Sequence, residues 1–251
     1  MNSAKITLKS IKSIESQDEI VDLLWNYFGC LYKNGQILKN YDMLKNADDF
    51  IVFVTLPTDD AMDEKHNNIY VSKYVEQIEK LFKISVEIIG ENLNYDKSCS
   101  CEKHSWFMLY TDWMETDSPV ICGDCGKSVP LYKLPHLFNE NEHHGILGWK
   151  EAYSEIDSLW LYCLSDRFTY RQLNKLNSQL SKIGLDICKE LEKATGTPTY
   201  YYVFQVNKSK DVCPICGSEW KLTGEKTFID YKCDKCRLVA DEVKGYGVKM
   251  H

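Results

Sequence analysis

No run among the 251 residues approaches the ~18 apolar positions a membrane-crossing helix needs. Met1-Asn2-Ser3-Ala4-Lys5-Ile6 likewise lacks the apolar segment of a secretory signal, so a cytoplasmic protein with no membrane partner is expected. The motifs of common catalysis are missing too. There is no Gly-x-x-x-x-Gly-Lys-Ser/Thr, Gly-x-Gly-x-x-Gly, His-Glu-x-x-His or Gly-x-Ser-x-Gly, and no His-x-Glu ahead of a Pro-Cys-x-x-Cys. These absences point away from an enzyme, leaving carboxylates such as Asp112, Glu115 and Asp117, which only the fold could bring together. Positive charge is also short: 30 Lys plus Arg face 37 Asp plus Glu, a formal −7. A field of that sign repels phosphate backbones and attracts basic macromolecules.

Cysteine, by contrast, is plentiful. Of eleven, eight fall in metal-type spacings, and Cys30, Cys163 and Cys188 read as small buried apolar residues. Cys213-Pro214-Ile215-Cys216-Gly217 is followed by Cys233-Asp234-Lys235-Cys236. Two Cys-x-x-Cys turns joined by a β-hairpin let four thiolates converge tetrahedrally on Zn²⁺. Gly217 suits the turn after the second ligand, where positive φ aims N–H groups at sulfur. The competing reading is a pair of disulfides in a secreted protein. A second constellation, Cys99-Ser100-Cys101 with Cys122-Gly123-Asp124-Cys125-Gly126, frames the apolar run Trp106 to Tyr110 and reads as a second zinc ribbon. Cys-x-Cys is a less usual turn, and His104 could replace one thiolate. A redox dithiol at Cys122 and Cys125 would need a helix to follow, and Ser128-Val129-Pro130 does not start one. Each tetrathiolate zinc site adds −4 from sulfur and +2 from the ion, so two would take the charge from −7 to −11.

Periodicity divides the remainder into an α+β protein. Residues 5–9 alternate as a half-buried strand; Ser16-Gln17-Asp18-Glu19 opens a helix with Ile20, Leu23, Leu24, Tyr27, Phe28 and Leu31 on one face, ended by Asn34-Gly35. Asp49 to Leu56 reads as a central strand stopped by Pro57. A second helix turns Tyr74, Val75, Ile78, Leu81 and Phe82 inward, and a strand runs from Lys83 to Ile89. This β-α-β-α-β layer occupies 1–95 and calls for helices on one sheet. The first ribbon takes 96–135. A helical hairpin and returning strand take 136–206, and the terminal ribbon takes 207–251. His136, His143 and His144, near Glu140 and Glu142, read as a solvated loop.

Trp149, Ala152, Tyr153, Ile156, Leu159, Trp160 and Cys163 mark a one-sided helix. Thr169-Tyr170-Arg171-Gln172 then opens what reads as one long helix, with Leu173, Leu176, Leu180, Ile183, Ile187 and Leu191 inward. Arg171, Lys175, Lys182, Lys189 and Lys193 gather on its far side, as a solvated face or a ridge for phosphates or an acidic partner. Thr199 to Val206 must be a strand, with Tyr201 and Val203 on one face and Tyr200, Tyr202 and Phe204 on the other. It is expected to lie covered; whether it joins the N-terminal sheet is open.

Leu147-Gly148-Trp149, the Arg171–Lys193 segment, Thr195-Gly196-Thr197-Pro198-Thr199-Tyr200-Tyr201-Tyr202 and the terminal cysteines together resemble a bacterial family, domain of unknown function 2310. That family is described as zinc-ribbon-containing and linked to nucleic-acid binding. The resemblance implies metal ligands at Cys213, Cys216, Cys233 and Cys236, and no catalytic residues. Two functions are expected to compete. One is a non-enzymatic, zinc-stapled binder of a protein partner, in its specific form an immunity-type inhibitor of a basic toxin such as a nuclease. The other is nucleic-acid binding through the Arg171–Lys193 ridge and the hairpin of Trp220, Lys221, Lys226 and Lys232. Residues 207–251 carry eight Lys and one Arg against seven acids, +2, which a zinc site would cancel, and this favours the protein partner.

Overall fold

Alternation of Ala4, Ile6 and Leu8, all fully buried, sets the central strand of the first unit, β1 (Asn2–Ser10). In the computed structural model, which describes residues 1–12, 17–205, 211–223 and 228–242, the chain divides into two units. The first comprises Met1–Ser100, Thr116–Ser118 and Lys127–Leu147; the second comprises Cys101–Glu115, Pro119–Gly126 and Gly148–His251.

In the first unit β1 leads to α1 (Gln17–Lys33), whose Leu24, Phe28 and Leu31 are fully buried. Ser16 of the expected capping box lies outside the described residues. Gly35 ends the segment at φ 79°, with space for no side chain, because a Cβ there would sit 2.5 Å from that of Leu131. Next come β2 (Asp42–Asn46) and β3 (Asp49–Leu56), then α2 (Ile69–Ile78) and β4 (Phe82–Glu91). Asn68 caps α2, its side chain accepting from the Tyr70 and Val71 N–H groups.

The sheet order β2-β3-β1-β4 is antiparallel throughout, which makes this unit a β-α-β-β-α-β, ferredoxin-like sandwich. The expected five-element layer therefore lacked one strand. β2 is almost wholly exposed and has no apolar alternation, and its turn to β3 uses Ala47 at φ 55° rather than an Asn-Gly pair. Phe82, expected on α2, instead starts β4.

In the second unit β5 (Phe107–Leu109), β6 (Val120–Cys122), β7 (Thr199–Tyr202), β8 (Tyr231–Cys233) and β9 (Leu238–Ala240) form one sheet in the order β6-β5-β7-β9-β8. The returning strand β7 thus joins neither the N-terminal sheet nor a layer of its own. It runs parallel to β5 on one side and β9 on the other, between the two cysteine-bearing hairpins. The ribbons are consequently halves of a single sheet. They are not separate appendages.

Helices α3 (His144–Leu161), α4 (Asp166–Asn174) and α5 (Gln179–Thr195) complete the chain's helical part. Gly184 of α5 lies against β7 so closely that a Cβ would meet the Tyr201 ring at 2.4 Å and the Trp149 indole nitrogen at 2.8 Å. The single long helix expected from Thr169 to Lys193 is broken. Lys175 is extended and Ser178 caps a new helix, its hydroxyl accepting from Ser181 N–H, while the Asn174 side chain donates to the Phe204 carbonyl. Local hydrogen bonding by Asn and Ser outweighs the continuous apolar period. Ile183, expected inward, is exposed, and so is Cys163; Cys188 is buried as expected.

Candidate metal centres

Each Cys-x-x-Cys turn is closed by a left-handed residue. Cys213 N–H donates to the Ser218 carbonyl at 2.8 Å and Gly217 N–H returns to the Cys213 carbonyl at 3.0 Å, with Gly217 at φ 70°. The same turn recurs where β6 ends: Gly126 N–H donates to the Cys122 carbonyl at 2.9 Å and Gly126 lies at φ 71°. The third copy, Cys233 to Cys236 after β8, puts Arg237 in this position at φ 52°. A non-glycine residue there is strained, and the side chain compensates by its contacts.

These turns bring the predicted ligands together. The sulfurs of Cys213, Cys216, Cys233 and Cys236 lie within 4.8 Å of one another, as do those of Cys99, Cys101, Cys122 and Cys125. Tetrahedral Zn–S bonds of ~2.3 Å imply sulfurs about 3.8 Å apart, and Cys216 and Cys233 stand at 3.7 Å. His104 is outside the set, its ring packing 4.9 Å from Phe107. The geometry therefore fits two metal ions with four thiolates each.

The electrostatics ask for a cation. The Ser218 hydroxyl and backbone N–H hold the Cys216 thiol down at about 6, whereas burial and the neighbouring thiols push Cys236 up to about 12. Four sulfurs this close cannot all ionise without a positive charge among them.

The sheet face between the cysteine hairpins is aromatic. Trp106 stacks on Phe228 at 5.7 Å and meets Tyr200 edge-on at 5.3 Å, and Lys232 Nζ sits 4.5 Å from the Trp106 centroid and 4.7 Å from that of Tyr200. Gly123 lies directly under the Trp106 ring, where a Cβ would come within 2.0 Å of it. Tyr200 donates to Asp234 at 2.6 Å, and Arg237 reaches Tyr200, the Asp234 carbonyl and Glu192. Sequence reasoning missed Trp106, Tyr200, Glu192 and Arg237 as a group. The available signal was Arg237 itself, standing where the other two turns have glycine.

The expected partner surface is differently placed. Arg171 is on α4, Lys175 is at its end with Nζ 5.5 Å from the Tyr170 ring, and Lys182, Lys189 and Lys193 are on α5, so no single helix carries the ridge. Lys189 pairs with Asp186 at 2.8 Å and Lys193 with Glu190 at 3.4 Å. Trp220 is only 3% exposed and packs on Tyr231, correcting its expected role as a surface contact. Lys221 lies between Asp211 and Glu242, and Lys232 lies 3.6 Å from Asp234. Lys226 lies outside the described residues.

The candidate carboxylates serve the backbone. Asp112 accepts the N–H groups of Met114 and Glu115 at 2.7 and 3.0 Å, while Asp117 accepts from Ser118 N–H and the Ser128 hydroxyl. Asp60, Asp63 and His66 form a third close set, but Lys65 pairs with both carboxylates and Tyr132 donates to Asp60 at 2.9 Å. His143, read as solvated, is 1% exposed, beside His136 with ring centroids 4.6 Å apart.

Fold and sites together define an α+β protein of two units, with two tetracysteine centres flanking one mixed sheet. Residues 101–204 match DUF2310, a domain of unknown function, and the chain belongs to that family. Residues 1–90 and 205–242 match two further domains of unknown function, DUF8589 and DUF8594. Two proteins of Haemophilus influenzae, each described as an uncharacterized protein, are similar. One is 29% identical over 91% of this chain and 92% of its own length; the other is 31% identical over 62% and 80% respectively. Among solved structures, Mycobacterium tuberculosis Rv0793 has 17% identity over 37% of this chain and 96% of its own, at a TM-score of 0.30.

Proposed function

We propose that this protein is a non-enzymatic binding protein stapled by two structural zinc ions, and that its partner is a basic protein. The observation that carries the reading is the completeness of the two cysteine sets: four sulfurs within 4.8 Å leave no open coordination position for a reactive water. Zinc binding of this kind contributes roughly 10–16 kcal/mol to folding, which short three-residue strands such as β5, β6, β8 and β9 cannot supply by packing. The surface then does the work. Its charge of −7, which two tetrathiolate zinc sites would take to −11, favours fast capture of a cationic protein. An immunity-type inhibitor covering the phosphate-binding cleft of a basic toxin such as a nuclease is the specific form we infer. Nucleic-acid binding is the weaker reading, because Lys189, Lys193, Lys221 and Lys232 each stand beside a carboxylate.

Affinity capture of the tagged protein from its native lysate, with and without nuclease treatment, tests this. A stoichiometric basic protein that survives nuclease, and is toxic when expressed alone, is the expected result. Nucleic acid in the eluate, released by salt, would overturn it in favour of the alternative.

A further inference from the structure

The outermost strand of the ferredoxin-like sheet is long and bare. Among the described residues β4 pairs with β1 alone, and from Lys83 to Glu91 no residue of it is fully buried. Ile84, Val86 and Ile88 face the helix side, opposite Leu8, Ile6 and Ala4, yet Val86 is 42% and Ile88 44% exposed. Natural sheets rarely leave an apolar edge of this length without a partner.

The strand's own sequence names that partner. Its ladder with β1 is regular from Phe82 to Ile88 and shifts at Ser3/Ala4, so the regular stretch is centred on Ser85. A two-fold axis through Ser85 would set two copies of β4 antiparallel, with Lys83 opposite Glu87 of the partner subunit, and Glu87 opposite the partner's Lys83. On the other face Ile84 would meet the partner's Val86. Shifting the axis by one residue, to Val86, puts Ser85 against the partner's Glu87 and loses both ion pairs. A shift to Glu87 sets that carboxylate against its own copy.

Charges within the chain lead the same way. Lys83 lies directly across from Lys9 and Glu87 across from Lys5, so this face of the two strands sets three lysines against one carboxylate, and among the described residues neither Lys83 nor Glu87 closes an ion pair within the chain. The partner's Glu87 would offset that surplus positive charge.

We propose that two copies of this chain associate through β4, antiparallel about Ser85, continuing the four-stranded sheet across the two-fold axis. The inference is independent of the metal centres and uses only the first unit.

Sedimentation equilibrium of the full-length protein, over concentrations spanning the micromolar range, tests it. The wild type is expected to dimerise reversibly. Lys83→Glu and Glu87→Lys, each confirmed folded by circular dichroism, set like charges across the axis and should each weaken self-association at least tenfold. An equimolar mixture of the two variants restores opposite charges at both positions and should form a heterodimer. A wild type monomeric throughout, single variants that dimerise as the wild type does, or a mixture that stays monomeric would each overturn the proposal.

Discussion

Arg237 holds Glu192 with two nitrogens, Nε to Oε2 and Nη2 to Oε1, both at 2.9 Å. The pair joins the last cysteine turn to the last turn of α5, and it accounts for an arginine at φ 52° where Gly126 and Gly217 occupy the matching places. Glycine would relieve the backbone and lose the clamp. Arginine keeps the clamp and accepts the strain.

The two contributions separate by substitution. Arg237→Ala loses the clamp and keeps a Cβ in the left-handed region, so it should destabilise the zinc-loaded protein by about 1–2 kcal/mol in urea unfolding. Arg237→Gly loses the same contacts without the strain and should be milder by roughly 0.5–1 kcal/mol. Equal losses in the two variants would show that the left-handed backbone has no cost here.

Gly184→Ala tests the packing of α5 on β7. Its Cβ would meet two rigid rings, Tyr201 and Trp149, neither of which is the free end of a flexible chain. A loss of about 1–3 kcal/mol in the urea midpoint is expected, despite alanine's better helix propensity. A neutral or stabilised variant would mean that α5 can withdraw from the sheet.

His143 predicts an acid limit for the first unit. Burial, with His136 beside it, lowers its pKa from 6.5 to about 3, so the unfolded chain binds a proton that the folded one refuses. The stability this group contributes is complete above pH 6.5 and is lost as pH falls toward 3, at up to about 1.4 kcal/mol per pH unit. His143→Phe should flatten the stability curve through that window relative to the wild type. Parallel curves would place the acid sensitivity elsewhere.

Asp157 has the opposite sign. Burial raises its pKa from 3.8 to about 6, although its carboxylate accepts the Trp113 N–H at 3.0 Å. The folded state therefore takes up the proton first, and stability declines as pH rises from 3.8 through 6. Asp157→Asn keeps an acceptor for that N–H without the charge, so at pH 8 it should be more stable than the wild type by on the order of 1–2 kcal/mol. A less stable variant at that pH would mean that the carboxylate's charge has a stabilising partner.

What could be read in advance follows the range over which each signal acts. The grouping of eight cysteines into two sets of four was legible, because the two cysteines of a turn are neighbours in sequence and Gly126 and Gly217 mark the close of two of the turns. β3 was legible to the residue, since Asp49 to Leu56 is a continuous run of strand formers ended by Pro57. The exposed strand β2 was not, because an edge needs no apolar period. Nor was the single sheet shared by both cysteine hairpins, whose parallel β5–β7 and β7–β9 pairings join residues about 90 and 37 positions apart. The broken helix shows apolar period and capping chemistry in conflict. Ser178 decided it.

Cobalt titration of the metal-free, reduced protein tests the central claim most directly. Two structural tetrathiolate centres predict that the intense visible bands of tetrahedral cobalt, with sulfur-to-metal charge transfer, grow to an end point of two ions per chain and bleach when zinc is added. Cys236→Ser and Cys125→Ser should each perturb one of the two steps and leave the other intact. A spectrum of weak six-coordinate cobalt, or an end point at one ion or none, would contradict the account.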